Sequence, residues 1–257
     1  MRSLLIIATL GLLASCSTHT NKDSAVSAKP NPREYQIAAY LWQQTSGEYR
    51  ALTYQAYNIA KEKVERDLED KHNKKRAVIF DVDETVLDNS FGGAMEVKEG
   101  LSWKENHFAD WVKLKQAIAI PGALDFVKFL QEKNVEIFYV TNRQTNMLQD
   151  TYDNLVAQGF PVKKENLMPM PSGEHTKEPR RQGILKKYHV VLYVGDNLSD
   201  FPGGYEKTSV EVRNALVDKM KADFGQKFII LPNPLYGDWE RALPSDKPRI
   251  ENLKVKP

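Results

Sequence analysis

Four short apolar runs punctuate the chain: AVIF (77–80), VEIFYVT (135–141), VVLYVG (190–195) and KFIILP (227–232). They are rich in β-branched and aromatic residues and show no polar alternation, the pattern of strands covered on both faces. Between them, apolar positions recur every three or four residues. One such stretch is 122–133, where Leu124, Val127 and Leu130 share a face; others are 145–158, stopped by Gly159, and 208–222, ending near Gly225. Upstream, Tyr49, Leu52, Ala56, Ala60, Val64 and Leu68 carry the same helical period, behind EYQIAAYLWQQ, which is apolar nearly all round and ends before Gly47. Alternating strands and helices predict an α/β fold built on a doubly wound parallel sheet.

The first thirty residues follow another pattern. MRSLLIIATLGLLASC places one cation, Arg2, before an apolar core from Leu4 to Leu13 and then the small residues Ala14 and Ser15. Residues 1–15 therefore read as a secretory signal peptide, too short to remain as a membrane span. LASC resembles the bacterial lipobox, which makes Cys16 the lipidated N-terminus of the mature chain. Cys16 is the one cysteine, so no internal disulfide forms. Residues 16–32 are polar and proline-spaced and predict a flexible tether. The expectation is a bacterial cell-envelope protein, lipid-anchored, with Ser17 pointing to the outer membrane by resemblance to enterobacterial lipoproteins. Composition changes little: 41% hydrophobic and 27% charged residues suit a globular domain, and a net charge of +2 gives no case for a nucleic acid polymer as partner.

The strand ends carry the candidate chemistry, because ligands of open α/β sheets bind beyond the carboxyl ends of the strands. The first run ends in Asp81-Val82-Asp83, the second in Thr141-Asn142-Arg143, and the third in Gly195-Asp196-Asn197 with Asp200 close behind. Four carboxylates converging there repel one another, by roughly 4 kcal/mol for a pair 4 Å apart at an effective dielectric of 20. A hard divalent cation resolves this, and Mg²⁺ suits oxygen ligands. Zn²⁺ is disfavoured, since His19, His72, His107, His175 and His189 are scattered and each alone predicts packing rather than ligation. Asp81 is the candidate nucleophile, as the first polar residue after its strand. Asp83, two residues on and on the same side, is the candidate general acid and base. Thr141 can hold phosphate oxygens, and Lys177 in EHTKEPRRQ supplies the balancing charge.

Together, FDVDETVLDNS, VTNR, the Lys177 segment and VGDNLSDF resemble the four motifs of the haloacid dehalogenase (HAD) superfamily. Within it the chain resembles the class C bacterial acid phosphatases. That resemblance implies a HAD-like core with a smaller helical cap, Mg²⁺ as cofactor, and small phosphomonoesters as substrates, nucleoside monophosphates among them. It also implies an aspartyl-phosphate on Asp81, metal bound by Asp81, the Asp83 backbone carbonyl and Asp196, with Asp200 behind them, and phosphate held by Thr141, the Asn142 backbone and Lys177. Asp83 separates the chain from HAD ATPases, which carry Thr there. The reading divides the chain into N-terminal helices (33–75), core (76–90 and 121–257) and cap insert (91–120). Phe91, Trp103, Phe108 and Trp111 lie in the insert, where cap packing competes with substrate contact. Phe108, with Tyr236 from the core side, matches the rings that sandwich a base in this family. Glu84 is expected in solvent or behind the ligands, and at least one of Arg180 and Arg181 in water. A sugar-phosphate phosphatase or phosphotransferase is the alternative within enzymes. A haem-binding surface lipoprotein is discounted for want of a ligation motif. A homodimer is left open.

Overall fold

The computed structural model describes residues 33–255 apart from Trp103, Ser245 and Lys247. The signal segment, Cys16 and the tether lie outside the described residues. In chain order the elements are α1 (Ile37–Thr45), α2 (Gly47–Glu69), β1 (Arg76–Phe80), β2 (Leu87–Asp88), α3 (Ser90–Lys98), α4 (Glu105–Leu114), β3 (Ile118–Ala119) and α5 (Ala123–Glu132). They continue with β4 (Glu136–Gln144), α6 (Leu148–Ala157), β5 (Leu167–Met170), α7 (Glu178–Lys187), β6 (His189–Gly195), α8 (Val210–Lys219), β7 (Phe228–Ile230) and α9 (Asp238–Arg241). Among the described residues no helix is long and apolar enough to cross a membrane.

Five strands form one parallel sheet in the order β5-β4-β1-β6-β7. The chain leaves β1 toward β4 and β5, then returns across the sheet to β6 on the other side. The order thus reverses at β1, which opens a crevice at its carboxyl end. Alternation along β1 feeds two cores: Val78 and Phe80 pack with Tyr57, Ala60 and Phe126 of α2 and α5, whereas Ala77 and Ile79 face Ile184 of α7 and its neighbours. Both faces of β1 are covered, which is why its run shows no polar alternation.

Helix α2 begins at Ser46, whose hydroxyl accepts the Tyr49 N–H at 3.1 Å. Its buried stripe is Tyr49, Thr53, Ala56, Tyr57, Ala60 and Val64. Leu52, expected on that face, is exposed; Thr53 goes inward instead and satisfies its hydroxyl on the Arg50 carbonyl at 2.9 Å. Strand β5 stood outside the sequence expectation. Its four residues include Pro169, which lacks a ladder N–H, and it lies at the sheet edge, where that loss is tolerated. The short hairpin of β2 and β3 was also unforeseen; it closes the base of the excursion that holds α3 and α4.

Candidate active site

The acids sit where the sheet order reverses. Asp81 continues β1 by donating its N–H to the Val194 carbonyl at 2.9 Å. Its carboxylate meets Lys177 Nζ at 2.5 Å, and the same ammonium donates to Asp200 at 2.6 Å. Lys177 is placed by the start of α7, where Pro179 falls in the first turn. Asp200 is oriented by its own turn: the Asn197 N–H donates to its second oxygen at 2.9 Å. Gly195 is required beside it, since a Cβ there would stand 2.3–2.6 Å from the Asp200 side chain. Asp196 accepts from Thr85 Oγ1 at 3.2 Å and from Asn233 Nδ2 at 2.7 Å.

Carboxylate oxygens of Asp81, Asp196 and Asp200 lie within 4.8 Å of one another, against a single ammonium. Burial, reinforced by Asp200 and Asp83 and resisted by Lys177, pushes Asp81 up to about 7. Burial first, then Asp200 and Asp81, raises Asp196 well above the carboxylate range. Lys177 is held up by Asp200 and Asp81 although burial works against its charge. Hard oxygen donors with unbalanced negative charge fit a divalent cation.

Asp83 faces another way. Its Oδ1 accepts from Arg143 Nε at 2.9 Å, Arg143 Nη2 at 2.7 Å and Asn89 Nδ2 at 2.8 Å. Only longer contacts reach Oδ2, from Arg143 Nε at 3.3 Å and Thr141 Oγ1 at 3.5 Å. The Asp83 side chain is therefore outside the carboxylate cluster. Thr141 also accepts the Arg143 N–H at 3.0 Å, which shapes the exposed Asn142 between them. Asn89 is fixed in turn by Trp111 Nε1 at 2.9 Å, and the mostly buried Trp111 also lines the cavity. Phe91 is exposed.

Asp81, Asp83, Asn142, Lys177, Phe108 and Tyr236 all line one cavity of about 760 Å³. Phe108 is half-buried with the Arg143 guanidinium 5.6 Å from its ring centre. Tyr236 is half-buried against the cluster of Tyr40, Val97 and Leu235. The two candidate rings thus share the cavity with the acids, and α1, α3 and α4 supply part of its wall.

Arg180 and Arg181 depart from expectation, and Glu84 takes the buried of its two expected placements. Glu84 is fully buried at φ +51°, its Oε1 accepting the Asn89 N–H at 2.8 Å while Oε2 has no partner. Burial and the neighbouring Asp83, Asp88 and Asp196 drive its carboxyl well above its usual range. Arg180 and Arg181 are both buried, neither in water. Arg180 Nη1 donates to the carbonyls of Thr141 (2.6 Å) and Met168 (2.9 Å), bracing β4 against β5; Arg181 Nη1 donates to Ser199 (2.7 Å), bracing the Asp200 turn. The sequence reading assigns Arg143 no role. Its position directly after a buried strand and the candidate phosphate-binding Thr141-Asn142 pair was the available signal.

The family described as "HAD superfamily, subfamily IIIB (Acid phosphatase)" matches residues 2–239, and the chain belongs to that family. Among solved structures it is similar to the class C acid phosphatase from Bacillus anthracis with tungstate bound, at 42% identity and a TM-score of 0.83, covering 88% of this chain and 100% of that one. A second structure of the Bacillus anthracis enzyme gives 43% identity, a TM-score of 0.82, and coverage of 87% and 98%. The chain is also 24% identical over 205 residues to the "Stem 31 kDa glycoprotein" of Glycine max, spanning 76% of this chain and 69% of that protein. These likenesses set it among the class C acid phosphatases, which are phosphomonoester hydrolases.

Proposed function

We propose that the protein is a Mg²⁺-dependent phosphomonoesterase working through an aspartyl-phosphate on Asp81, with nucleoside monophosphates as substrates, at the cell envelope. The observation that carries this reading is Asp81 itself: buried at the end of the central strand, 2.5 Å from Lys177, in the cavity that Phe108 and Tyr236 also line. An Asp81 oxygen attacks phosphorus while the ester P–O bond breaks, and Asp83 gives its proton to the departing alkoxide. Oδ2 is the Asp83 oxygen suited to that proton, because Arg143 and Asn89 occupy Oδ1. Asp83, now a carboxylate, then takes a proton from water as that water attacks phosphorus and the bond to Asp81 breaks. Lys177 and Thr141 hold the phosphoryl oxygens meanwhile. Asp81, Asp196 and the Asp83 carbonyl would hold Mg²⁺, with Asp200 behind them; bound there, it draws off charge from nucleophile and phosphoryl group.

Stacking between Phe108 and Tyr236 favours a base of any identity, worth roughly 1–3 kcal/mol per base. Arg143 beside Phe108 adds to the binding of an electron-rich ring. Anchoring through Cys16 rests on the signal segment and lipobox-like LASC, and Cys16→Ala should abolish incorporation of labelled fatty acid.

The test is phosphate release from AMP, nicotinamide mononucleotide, a sugar phosphate and an aryl phosphate, with and without EDTA, for wild type and Asp81→Asn. Faster turnover of the nucleotides, lost in EDTA and lost by at least about 10³-fold in the variant, supports the reading. Activity that survives in EDTA or in Asp81→Asn contradicts it. Tungstate, seen bound to the Bacillus anthracis enzyme, should compete with substrate.

A further inference from the structure

A second cluster of metal-ligating side chains lies at the opposite end of the sheet. Asp67 stands near the end of α2, His72 in the loop that follows, and His189 opens β6 in register with Arg76 at the start of β1. The length of β1, about 17 Å for five residues, separates this corner from the catalytic acids. Asp67 Oδ2 is 3.1 Å from His72 Nε2 and 2.8 Å from His189 Nε2. All three side chains are partly exposed, at 17%, 22% and 34%, so solvent reaches them.

We infer that Asp67, His72 and His189 form a transition-metal site, taking Zn²⁺ or a similar imidazole-preferring dication, distinct from the catalytic acid cluster. Two imidazole nitrogens and one carboxylate oxygen are an ordinary three-residue zinc set, with water as the fourth ligand. Bonds of 2.0–2.1 Å in a tetrahedron place ligand atoms about 3.3 Å apart, close to the two spacings to Oδ2. The carboxylate is prepared for this: Arg76 Nε donates to Oδ1 at 2.6 Å, which leaves Oδ2 as the single ligating oxygen and fixes its direction.

Two imidazoles beside a single carboxylate oxygen favour Zn²⁺ over Mg²⁺, which prefers an all-oxygen shell. One rearrangement is required. The two rings are stacked, with centres 3.6 Å apart and planes 17° from parallel. Parallel rings point their lone pairs side by side, so the rings must splay for both nitrogens to meet one ion. His72 sits in the loop between α2 and β1, outside any regular element. A bound ion would tie the end of α2 to the first residue of β6, stabilising the fold without touching the catalytic cavity.

The test is a Zn²⁺ titration of the full chain against a chromophoric chelator, in excess Mg²⁺ to occupy the acid cluster. It compares wild type, His72→Gln, His189→Gln and Asp81→Asn. The expected result is one Zn²⁺ equivalent in wild type and in Asp81→Asn, weakened at least about tenfold in either histidine variant. Zn²⁺ should raise Tm in the first pair only. Phosphatase activity unchanged in both histidine variants shows that they fold. Zn²⁺ binding of equal strength in the histidine variants, or an equivalent lost with Asp81 instead, overturns the site.

Discussion

Asp83 and Arg143 show how much of this site depends on single side chains. The guanidinium donates twice to Asp83 Oδ1, at 2.9 and 2.7 Å, and reaches Oδ2 only at 3.3 Å. Arg143→Ala should therefore lower kcat by about 10²-fold, on aryl phosphates as well as nucleotides. Arg143→Lys should not restore it, because an ammonium cannot match the fork; steady-state kinetics with unchanged kcat would refute the role. Asp81 makes a pH prediction. Its pKa is pushed up to about 7 and Asp196 is raised as well, so the metal-free site holds protons that a bound cation must expel. Calorimetry in buffers of differing ionisation enthalpy should show proton release on Mg²⁺ binding at pH 6 that shrinks as pH rises past 7; release that is absent or grows with pH contradicts it. Glu84, driven toward its neutral form, should tolerate Gln, whereas Glu84→Ala strands the Asn89 N–H and should cost about 1–3 kcal/mol by denaturant unfolding. Asp81, Asp83, Asp196, Asp200 and Lys177 were legible in the sequence because their types and spacing follow strand ends or a helix start. Glu84, Arg180 and Arg181 were not, since a turn with positive φ and long side chains folding inward leave no periodic trace.

At the scale of elements, the site is made by where strands stop. Gly195 ends β6 in contact with Asp200, so Gly195→Ala should displace that carboxylate from Lys177. The expected cost is about 1–3 kcal/mol of stability, together with a loss of activity larger than unfolding explains. Full activity in the folded variant would mean that Asp200 is not held as described. The three inner strands and edge strand β7 could be read from their apolar runs, the inner ones because both faces are buried. Edge strand β5 could not, being short and containing Pro169. The histidine pair was hidden for a different reason: His72 and His189 are joined only by the parallel pairing of β1 and β6.

The whole molecule is cross-tied at the amino end of its sheet by Glu136, which accepts from Lys75 at 2.6 Å, from Asn166 at 2.8 Å and from Lys163. Burial opposes its charge, but these donors win and lower it to about 2 from 4.5. A depressed carboxylate stabilises the fold above its unfolded pKa and ceases to do so as pH falls through the folded one. Wild type should thus exceed Glu136→Gln in stability above about pH 4.5, by about 1–2 kcal/mol. The two Tm curves should converge toward pH 2; parallel curves would contradict this. The central claim of the proposed mechanism is that phosphate passes through Asp81. Rapid acid quench of the Asp83→Asn variant with substrate and Mg²⁺, followed by peptide mass spectrometry, tests it most directly. The account predicts a phosphoryl group on the peptide containing Asp81, absent in EDTA. Product formed within the first turnover with no modified Asp81 peptide would contradict it.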